Sequence, residues 1–362
     1  MRHKFHNALF ATVLITIVLI WHRAEAQKSV VAPLRNSPIP LETGKTHLIF
    51  AGVTANFPRI AAWLFQGYYS TTPHGSFRGD ILFIGDGAVV ATKRVCDGEA
   101  HFTITTPNAV AYEFYKGIGL TNKPCPSLRG LFKMPQRDLI TFAVREDLGV
   151  KTLDDIIRKK IPLKTATGPD NTRAIGFLYR EFLKAAGISE EQVESWGGGI
   201  APADLGGEAI AAVMDGKANA LFQEGDVPIA PNWKPLNQKY PMRVISIPDS
   251  VIDKLKPLGF YKFEYTIPKG RYPGFLDNVQ TIDYSDWIVL ADASVPDDIA
   301  YHMAKIAAER HNDFEAQYPK MLPAGSEGLD QYVVNPKFMW KDLGAPIHPG
   351  AAKYFKEKGL MP

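Results

Sequence analysis

The sequence predicts an α/β protein built as two lobes, each a mainly parallel sheet flanked by helices. A unit made of a short strand, a turn and a helix recurs along the chain, at residues 46–68, 80–96, 101–116 and 162–186. Repetition of this unit favours parallel sheets with helices on their faces. Two stretches, CDGEAHFTIT (96–105) and MDGKANALFQ (214–223), share a helix end, an Asp-Gly stop and a following strand. Because 362 residues suffice for two domains, this echo predicts two lobes of similar construction.

The first 45 residues precede the predicted fold. Residues 1–26 have a basic start, an uncharged apolar run at 8–21, and Ala24 and Ala26 at the positions that a signal peptidase reads, so we expect a secretory signal that is cleaved after Ala26. The protein would then work outside the cytoplasm. A retained N-terminal membrane anchor is the alternative, although the apolar run is shorter than the ~20 residues that a bilayer span needs. Residues 27–45 form a predicted N-terminal extension.

Lobe 1 is predicted to combine residues 46–142 with residues 288–362. Its first strand, THLIFAG at 46–52, is followed by a polar turn at 53–56, and Pro58 suits the first position of the next helix. The remaining predicted elements are strands at 80–84 and 101–105, helices at 88–96 and from 108 to about 116, a long strand at 282–291 and a helix from 296 to about 314.

Lobe 2 is predicted over residues 143–287 and is organised around KTATGPDNTRAIGFLYREFLKAAG at 164–187. A strand ends there at a Gly-Pro turn at 168–169, three candidate helix N-caps follow at 170–172, and Gly187 suits the C-terminal end of the helix. The remaining predicted elements are a strand at 139–144, a short helix capped by Thr152, a loop at 196–207, a helix at 208–215, and strands at 218–222 and 243–247.

The strand–turn–helix units predict a site for an anion. The first turn of each helix directs backbone N–H groups and the positive end of the helix dipole toward one point. Arg173, expected in the first turn of its helix, would bind a carboxylate through two parallel hydrogen bonds; the alternative is a scaffold unit with Arg173 as a solvated surface residue. Asp86 and Glu224 on neighbouring turns oppose a bare polyanion and favour a zwitterion or a hydroxy acid. The predicted ligand-binding residues are Thr54, Asn56, Gly85, Asp86, Thr106, Asn108, Gly168, Asn171, Thr172, Arg173, Gln223 and Glu224.

Composition and motifs exclude several classes of function. With 41 basic and 38 acidic residues, the chain offers no electrostatic case for a nucleic-acid partner. It has no G-x-S-x-G elbow, no Walker A sequence, no C-x-x-C and no H-E-x-x-H motif. We therefore predict that the protein is not an enzyme and has no cofactor and no metal site. The two cysteines, Cys96 and Cys125, allow either a disulfide or two buried free thiols.

Five segments, in their order and spacing, resemble a known family. They are GEAHFTITTPNAVAYEFYKG (98–117), VREDLGVKTLDDI (144–156), LKTATGPDNTRAIGFLYREFLKAAGI (163–188), IPKGRYPG (267–274) and IHPGAAKYFKEKGL (347–360). Together they resemble the TAXI family of solute receptors, the extracytoplasmic binding components associated with tripartite ATP-independent periplasmic (TRAP) transporters. The resemblance covers most of the chain after Lys45. The first turn, GVTANFPR (52–59), departs from the Gly-, Thr- and Tyr-rich turn of the family.

The resemblance implies a two-lobed, type II periplasmic binding fold with the ligand cleft between the lobes. It further implies a receptor that captures a small organic anion, such as a carboxylate, an amino acid or an oxo acid (glutamate or 2-oxoglutarate), and delivers it to the permease subunits of a TRAP-type transporter. The same fold also serves ABC-type permeases and sensors, which form the alternative. A secreted enzyme on a related two-lobed fold is the third reading, with the segment at 196–207 as its active loop.

Overall fold

The structure, a computed structural model, describes residues 46–53, 57–74, 76–85, 87–134, 137–225, 227–316 and 334–362. The predicted signal peptide at 1–26 and extension at 27–45 lie outside the described residues, as do Thr54, Asn56 and Asp86, so what is expected of them stays a prediction. Among the described helices, none is both long and apolar enough to cross a membrane.

The described part of the chain forms two five-stranded sheets. Their strands are β1 (Thr46–Val53), β2 (Phe77–Ile84), β3 (Phe102–Thr105), β4 (Leu128–Met134), β5 (Thr141–Arg145), β6 (Lys164–Thr167), β7 (Gly199–Pro202), β8 (Ala220–Gln223), β9 (Met242–Val244) and β10 (Trp287–Asp292). The first sheet has the order β2-β1-β3-β10-β4 and the second has the order β7-β6-β8-β5-β9. The predicted two-lobed α/β architecture is thereby confirmed.

The two sheets share one topology. In each, three parallel neighbours are followed by a single reversed strand, β10 in the first sheet and β5 in the second, and then by a strand antiparallel to it. Both sheets are therefore mixed, with four of five strands running in one direction. The predicted echo fits this repeat, since the Asp-Gly pairs at 97–98 and 215–216 precede the equivalent strands β3 and β8.

Helices flank both sheets and pack against them through their buried residues. They are α1 (Phe57–Thr71), α2 (Gly87–Cys96), α3 (Asn108–Lys116), α4 (Leu153–Arg158), α5 (Ala174–Ala185), α6 (Glu190–Ser195), α7 (Gly206–Met214), α8 (Trp233–Lys239), α9 (Asp249–Leu255), α10 (Asp297–Glu309), α11 (His311–Glu315) and α12 (Pro349–Glu357). Residues near the helix ends explain where two of the helices begin or end. Thr152 caps α4 as predicted, in a capping box with Asp155. After α5, Gly187 adopts a φ of 77°, the left-handed conformation that glycine accepts most readily, which confirms its predicted role.

The structure contains elements that the sequence patterns do not predict, namely β4, β7, α6, α8 and α9. The predicted loop at 196–207 contains β7, which pairs in parallel with β6. The sequence of β7, GIAP, has low intrinsic β propensity, so its pairing with β6 decides its conformation.

Two long predicted elements are shorter in the structure. The predicted strand at 282–291 is wrong in its first half, because regular pairing starts only at Trp287 and the preceding residues belong to a connection between the sheets. The predicted helix at 296–314 is divided at Arg310 into α10 and α11.

Two segments, 137–140 and 281–286, carry the chain between the sheets and are called the crossing segments here. Leu139 and Asp283 form an antiparallel bridge. Ile140 N donates a hydrogen bond to Ile282 O (3.0 Å), and Tyr284 N donates one to Asp138 O (3.1 Å). The crossing segments therefore run side by side as one ribbon, the place where a hinge between two sheets is expected. They lead into β5 and β10, which begin within two residues of the predicted lobe boundaries.

Cys96, at the end of α2, and Cys125 form a disulfide with a Cα–Cα distance of 5.7 Å. Of the two possibilities that the sequence allows, the structure thus has the bridge and not the free thiols. The disulfide ties α2 to the segment that precedes β4, across a sequence separation of 29 residues.

We predict that the disulfide contributes ~3–4 kcal/mol to the free energy of unfolding, because it closes a loop of about 30 residues in the unfolded chain. Urea unfolding of the oxidised protein, with and without a reductant, measures this contribution. The Cys96→Ser/Cys125→Ser double variant is the control, since its midpoint should be low and insensitive to the reductant. Equal midpoints for oxidised and reduced wild-type protein would contradict the prediction.

Candidate ligand-binding site

The turn at 168–173 lies tightly against the helix that follows it, because two glycines remove side chains from the contact. A Cβ added at Gly168 would lie 2.7 Å from Gly176 N, and one added at Gly176 would lie 2.3 Å from Asp170 O. Arg180 fixes the turn from the helix by donating from Nη2 to Pro169 O (2.8 Å). The sequence therefore builds a rigid turn between β6 and α5.

The N-terminus of α5 differs from the prediction. Arg173 itself is the N-cap residue and α5 begins at Ala174, so the predictions that a residue at 170–172 caps the helix and that Arg173 lies in the first turn are wrong. The reason is local competition, because Asp170 Oδ1 accepts hydrogen bonds from Thr172 N (2.8 Å) and Thr172 Oγ1 (2.5 Å) instead. These bonds lower the pKa of Asp170. Asn171 lines an open surface depression with residues of α5 and α6.

Arg173 forms an ion pair that the sequence did not reveal. Its Nη2 donates to Asp204 Oδ2 at 3.1 Å, and only 18% of its side chain is exposed. Asp204 follows β7, the strand that was taken for a loop, so no motif pointed to it. The backbone N of Asp204 donates to Glu208 Oε2 (2.8 Å), which fixes the start of α7. Arg173 is therefore held in place and is not a mobile surface residue.

Arg173 also contacts the first lobe. A Cβ added at Gly87, the first residue of α2, would lie 3.3 Å from Arg173 Cδ. Gly87 has a φ of 85°, so both its conformation and its small size suit this contact. Gly85, the last described residue before it, is exposed and has open space around its Cα. The start of α2 thus lies against the Arg173 side chain at the start of α5. The ligand-binding roles predicted for Gly85 and Arg173 stay predictions.

Two predicted residues of lobe 1 face the crossing segments. Thr106 Oγ1 donates to Tyr284 O (3.2 Å), and the peptide bond from Thr106 to Pro107 is cis. Asn108 Nδ2 donates to Asp342 O (3.2 Å). Asn108 lines a polar cavity of about 480 Å³, together with Tyr112 of α3, the ion pair of Lys133 with Asp286, and Asp283. Burial raises the pKa of Asp283 to about 6.

The side chain of Gln223 crosses the carboxyl end of β6, from β8 on one side to the residue after β7 on the other. Gln223 is the last residue of β8 and is fully buried. Its Nε2 donates to Ala203 O (2.7 Å), which follows β7 on the far side of β6 in the sheet. Ala203 N in turn donates to Thr167 O (2.8 Å) at the end of β6. The side chain of Gln223 thus forms part of the floor at the strand ends, beside the turn that carries Arg173.

Acidic side chains lie near the turn that follows β8. Asp138 Oδ1 accepts hydrogen bonds from Leu139 N (2.7 Å) and from Gly225 N, and so connects a crossing segment to the turn after β8. Tyr284 of a crossing segment is buried. Burial raises its pKa well above the ordinary value, and the charges of Glu224 and Asp138 raise it further, so its hydroxyl is neutral at physiological pH. Glu224, predicted as a cleft residue, therefore lies near Tyr284 of the crossing segments.

Several buried polar atoms at these strand ends have no hydrogen-bond partner among the described residues. They are Thr105 Oγ1, Thr141 Oγ1, Thr167 Oγ1, Asp204 Oδ1 and Gln223 Oε1, five of the ten such side-chain atoms in the described ranges. Buried polar groups are normally satisfied by protein, water or a ligand. Their concentration at the carboxyl ends of β3, β6 and β8 is the chemistry expected where a small polar molecule binds. Within the described ranges, no group of three or more His, Cys, Asp or Glu residues is placed to hold a metal ion.

The structure is similar to several solved structures at low sequence identity. A structure of XAC2383 from Xanthomonas citri bound to ATP shares 13% identity, with 87% of this chain and 96% of that chain covered and a TM-score of 0.48. PhnD1 from Prochlorococcus marinus, in complex with methylphosphonate, shares 9% identity, with 87% and 99% covered and a TM-score of 0.49. The periplasmic binding protein BugD shares 12% identity, with 87% and 98% covered and a TM-score of 0.47.

The sequence itself matches the NMT1-like family over residues 84–359, about three quarters of the chain. This match includes both reversed strands, both crossing segments and every described residue of the predicted site. The chain therefore belongs to the NMT1-like family.

Proposed function

We propose that the protein is a periplasmic receptor that captures a small organic anion between its lobes and delivers it to a membrane permease. The observation that carries this proposal is the position of Arg173. It extends from the start of α5 in the second lobe to the start of α2 in the first, and it is anchored by Asp204. A guanidinium at the meeting point of two helix N-termini is suited to hold a carboxylate when the lobes are closed.

Arg173 alone does not supply the affinity of such a receptor. One charge-assisted hydrogen bond contributes ~1.5–3 kcal/mol, whereas micromolar binding requires ~8 kcal/mol. A ligand carboxylate would also share the guanidinium with Asp204. The proposal therefore requires further contributions from backbone N–H groups at the two helix starts, from the polar atoms at the strand ends, and from burial on closure.

We propose a TRAP-type permease as the partner, on the basis of the resemblance to the TAXI family. Delivery to an ABC-type permease or to a sensor is the alternative. The neighbouring genes discriminate between them, because paired membrane subunits without an ATPase indicate a TRAP-type system. The proposed role is binding and not catalysis, in line with the lack of a G-x-S-x-G elbow in the sequence. Turnover of a bound metabolite would contradict this part of the proposal.

A thermal-shift screen of organic acids, amino acids, sugars and simple cations tests the proposed function. A ligand present at 100 times its Kd stabilises the folded protein by ~2.7 kcal/mol, because it binds the folded state alone. We expect small carboxylates or amino acids to raise the Tm. Stabilisation by neutral sugars or cations alone would contradict an organic-anion receptor.

We predict that Arg173→Ala lowers the affinity for the best organic-anion ligand by about 10- to 100-fold, the value of one charge-assisted hydrogen bond. Isothermal titration calorimetry measures the change. Arg78→Ala is a matched control, because it removes the same charge from an arginine that lies on β2 with 63% of its side chain exposed. An unchanged Kd in the Arg173 variant would remove Arg173 from the site.

Ligand binding is expected to make the molecule more compact. The crossing segments form one hydrogen-bonded ribbon between two otherwise separate sheets, which permits the lobes to move as units. Small-angle X-ray scattering with and without a saturating ligand measures the radius of gyration. Equal values in the two states, for a ligand whose binding calorimetry has confirmed, would contradict closure.

A further inference from the structure

Strand β2 is the outer strand of the first sheet, and its side chains are incompletely covered. It pairs with β1 along all eight of its residues, and none of the other described strands pairs with its second edge. None of the eight residues is buried, although residues 81–84 (ILFI) form an apolar run. Phe83 has 78% of its surface exposed. A long apolar edge strand of this kind is a template for pairing with another strand.

The backbone groups at this edge come from alternate residues. Thr46 of β1 is level with Phe77, and its N donates to Ser76 O (2.7 Å). In a parallel ladder the residues on either side of the level position bond to the neighbouring strand, and this alternation continues along the strand. The outward N–H and C=O groups therefore belong to every second residue, namely Phe77, Gly79 and Ile81.

The two charged side chains of β2 lie two residues apart. Arg78 has 63% of its side chain exposed and Asp80 has 38%. They form an ion pair within the chain (Arg78 Nε to Asp80 Oδ2, 3.3 Å), and Asp80 also bonds to His47. Because side chains alternate along a strand, both project from the same face of the sheet, one on either side of Gly79. The strand thus carries opposite charges placed symmetrically about one residue.

We propose that two copies of this chain associate through antiparallel pairing of their β2 strands about a two-fold axis at Gly79. In this register Arg78 of each copy lies opposite Asp80 of the other, so the interface contains two cross-strand ion pairs. Phe77 lies opposite Ile81 on the other face, which adds two apolar pairs. The outward backbone groups then form hydrogen bonds between the copies and join the two first sheets into one.

Charge selects this register over its neighbours. An axis moved to Asp80 would place the two aspartates opposite each other, and an axis at Arg78 would do the same with the two arginines. Like charges directly opposite destabilise a strand pair. An axis at Ile81 would leave Asp80 opposite Leu82, an apolar side chain. The charge order of β2 is complementary to that of an identical strand running in the opposite direction, so a second copy is the partner that fits this edge.

The expected dimer is weak and depends on concentration. Association through one strand from each copy covers a small area, which is typical of transient interfaces. The paired segment ends before Gly85 and the start of α2, so the residues proposed to bind the ligand lie outside it. Association is therefore expected with and without a ligand. Its failure would leave the proposed receptor function untouched.

Sedimentation velocity over a dilution series tests the proposal. We expect the weight-average mass of the wild-type protein to rise toward twice the monomer mass as its concentration increases. Arg78→Glu and Asp80→Lys should each remain monomeric, because either change places like charges opposite each other. A mixture of the two variants should regain the dimer, since each variant supplies the charge that the other lacks.

Recovery in the mixture is the decisive result, because a folding defect within one chain is not corrected by adding the other chain. Lys217→Glu is the charge-reversal control and should dimerise as the wild type does, since Lys217 lies in the second lobe with 72% of its side chain exposed. A wild-type monomer at every concentration up to ~1 mM would overturn the proposal and leave the edge to a different protein. A mixture that stays monomeric, or single variants that dimerise as the wild type does, would overturn the register.

Amide hydrogen exchange gives a second test that needs no substitution. We expect the outward amides of Phe77, Gly79 and Ile81 to exchange more slowly at high protein concentration than at low concentration. The amides of β7, an outer strand of the second sheet, are the control and should not change. A dimer whose formation leaves the β2 amides unchanged would place the interface elsewhere and overturn the proposal.

Discussion

The hydrogen-bonded ribbon of the two crossing segments is the constraint on which the rest of the structure depends. Each sheet takes its single reversed strand, β5 or β10, from the chain that has just left the other sheet. Neither sheet can therefore be completed before the chain has crossed, and the two crossing segments must lie together. The bonds between Ile140 and Ile282 and between Tyr284 and Asp138 hold them in that position. The chain thus passes between the two lobes through a single hydrogen-bonded ribbon.

The site owes its chemistry to the same topology. In both sheets the three parallel strands end on the side where the chain crosses, so helix starts from both lobes are directed to one region. Parallel strands place ligand sites at their carboxyl ends for this reason. Arg173 brings a cation to this edge, and Asp204, Glu224 and Asp138 bring acidic groups to it. Such an arrangement selects by charge pattern as well as by net charge.

A feature of the fold or of the candidate site could be predicted from the sequence where neighbouring residues determine it. The strand–turn–helix units, the cap at Thr152 and the end of α5 at Gly187 are encoded by neighbouring residues, and these predictions are confirmed. Asp204 was not predictable in this way, since it follows a strand of sequence GIAP whose conformation is decided by pairing with β6. The position of Arg173 at the N-cap was also missed, because Asp170 uses its carboxylate to bind Thr172 within the turn. Contacts between residues far apart in sequence, such as that of Gln223 with Ala203, leave no periodic pattern.

The turn after β8 connects the floor at the strand ends with a crossing segment. Gln223 forms part of the floor at the strand ends, and two residues later Gly225 N is bonded to Asp138 Oδ1 in a crossing segment. Asp138 is itself buried and also binds Leu139 N, so the turn cannot shift without disturbing the ribbon. A ligand that orders Gln223 would therefore also restrict the residues around which the lobes rotate. At the opposite side of the site, the small size of Gly87 allows Arg173 to reach α2, so a charged side chain of one lobe lies against the helix start of the other. In the proposed receptor, binding and closure would be coupled, because Gln223 is close in sequence to the hinge on one side and Arg173 makes the contact between the lobes on the other.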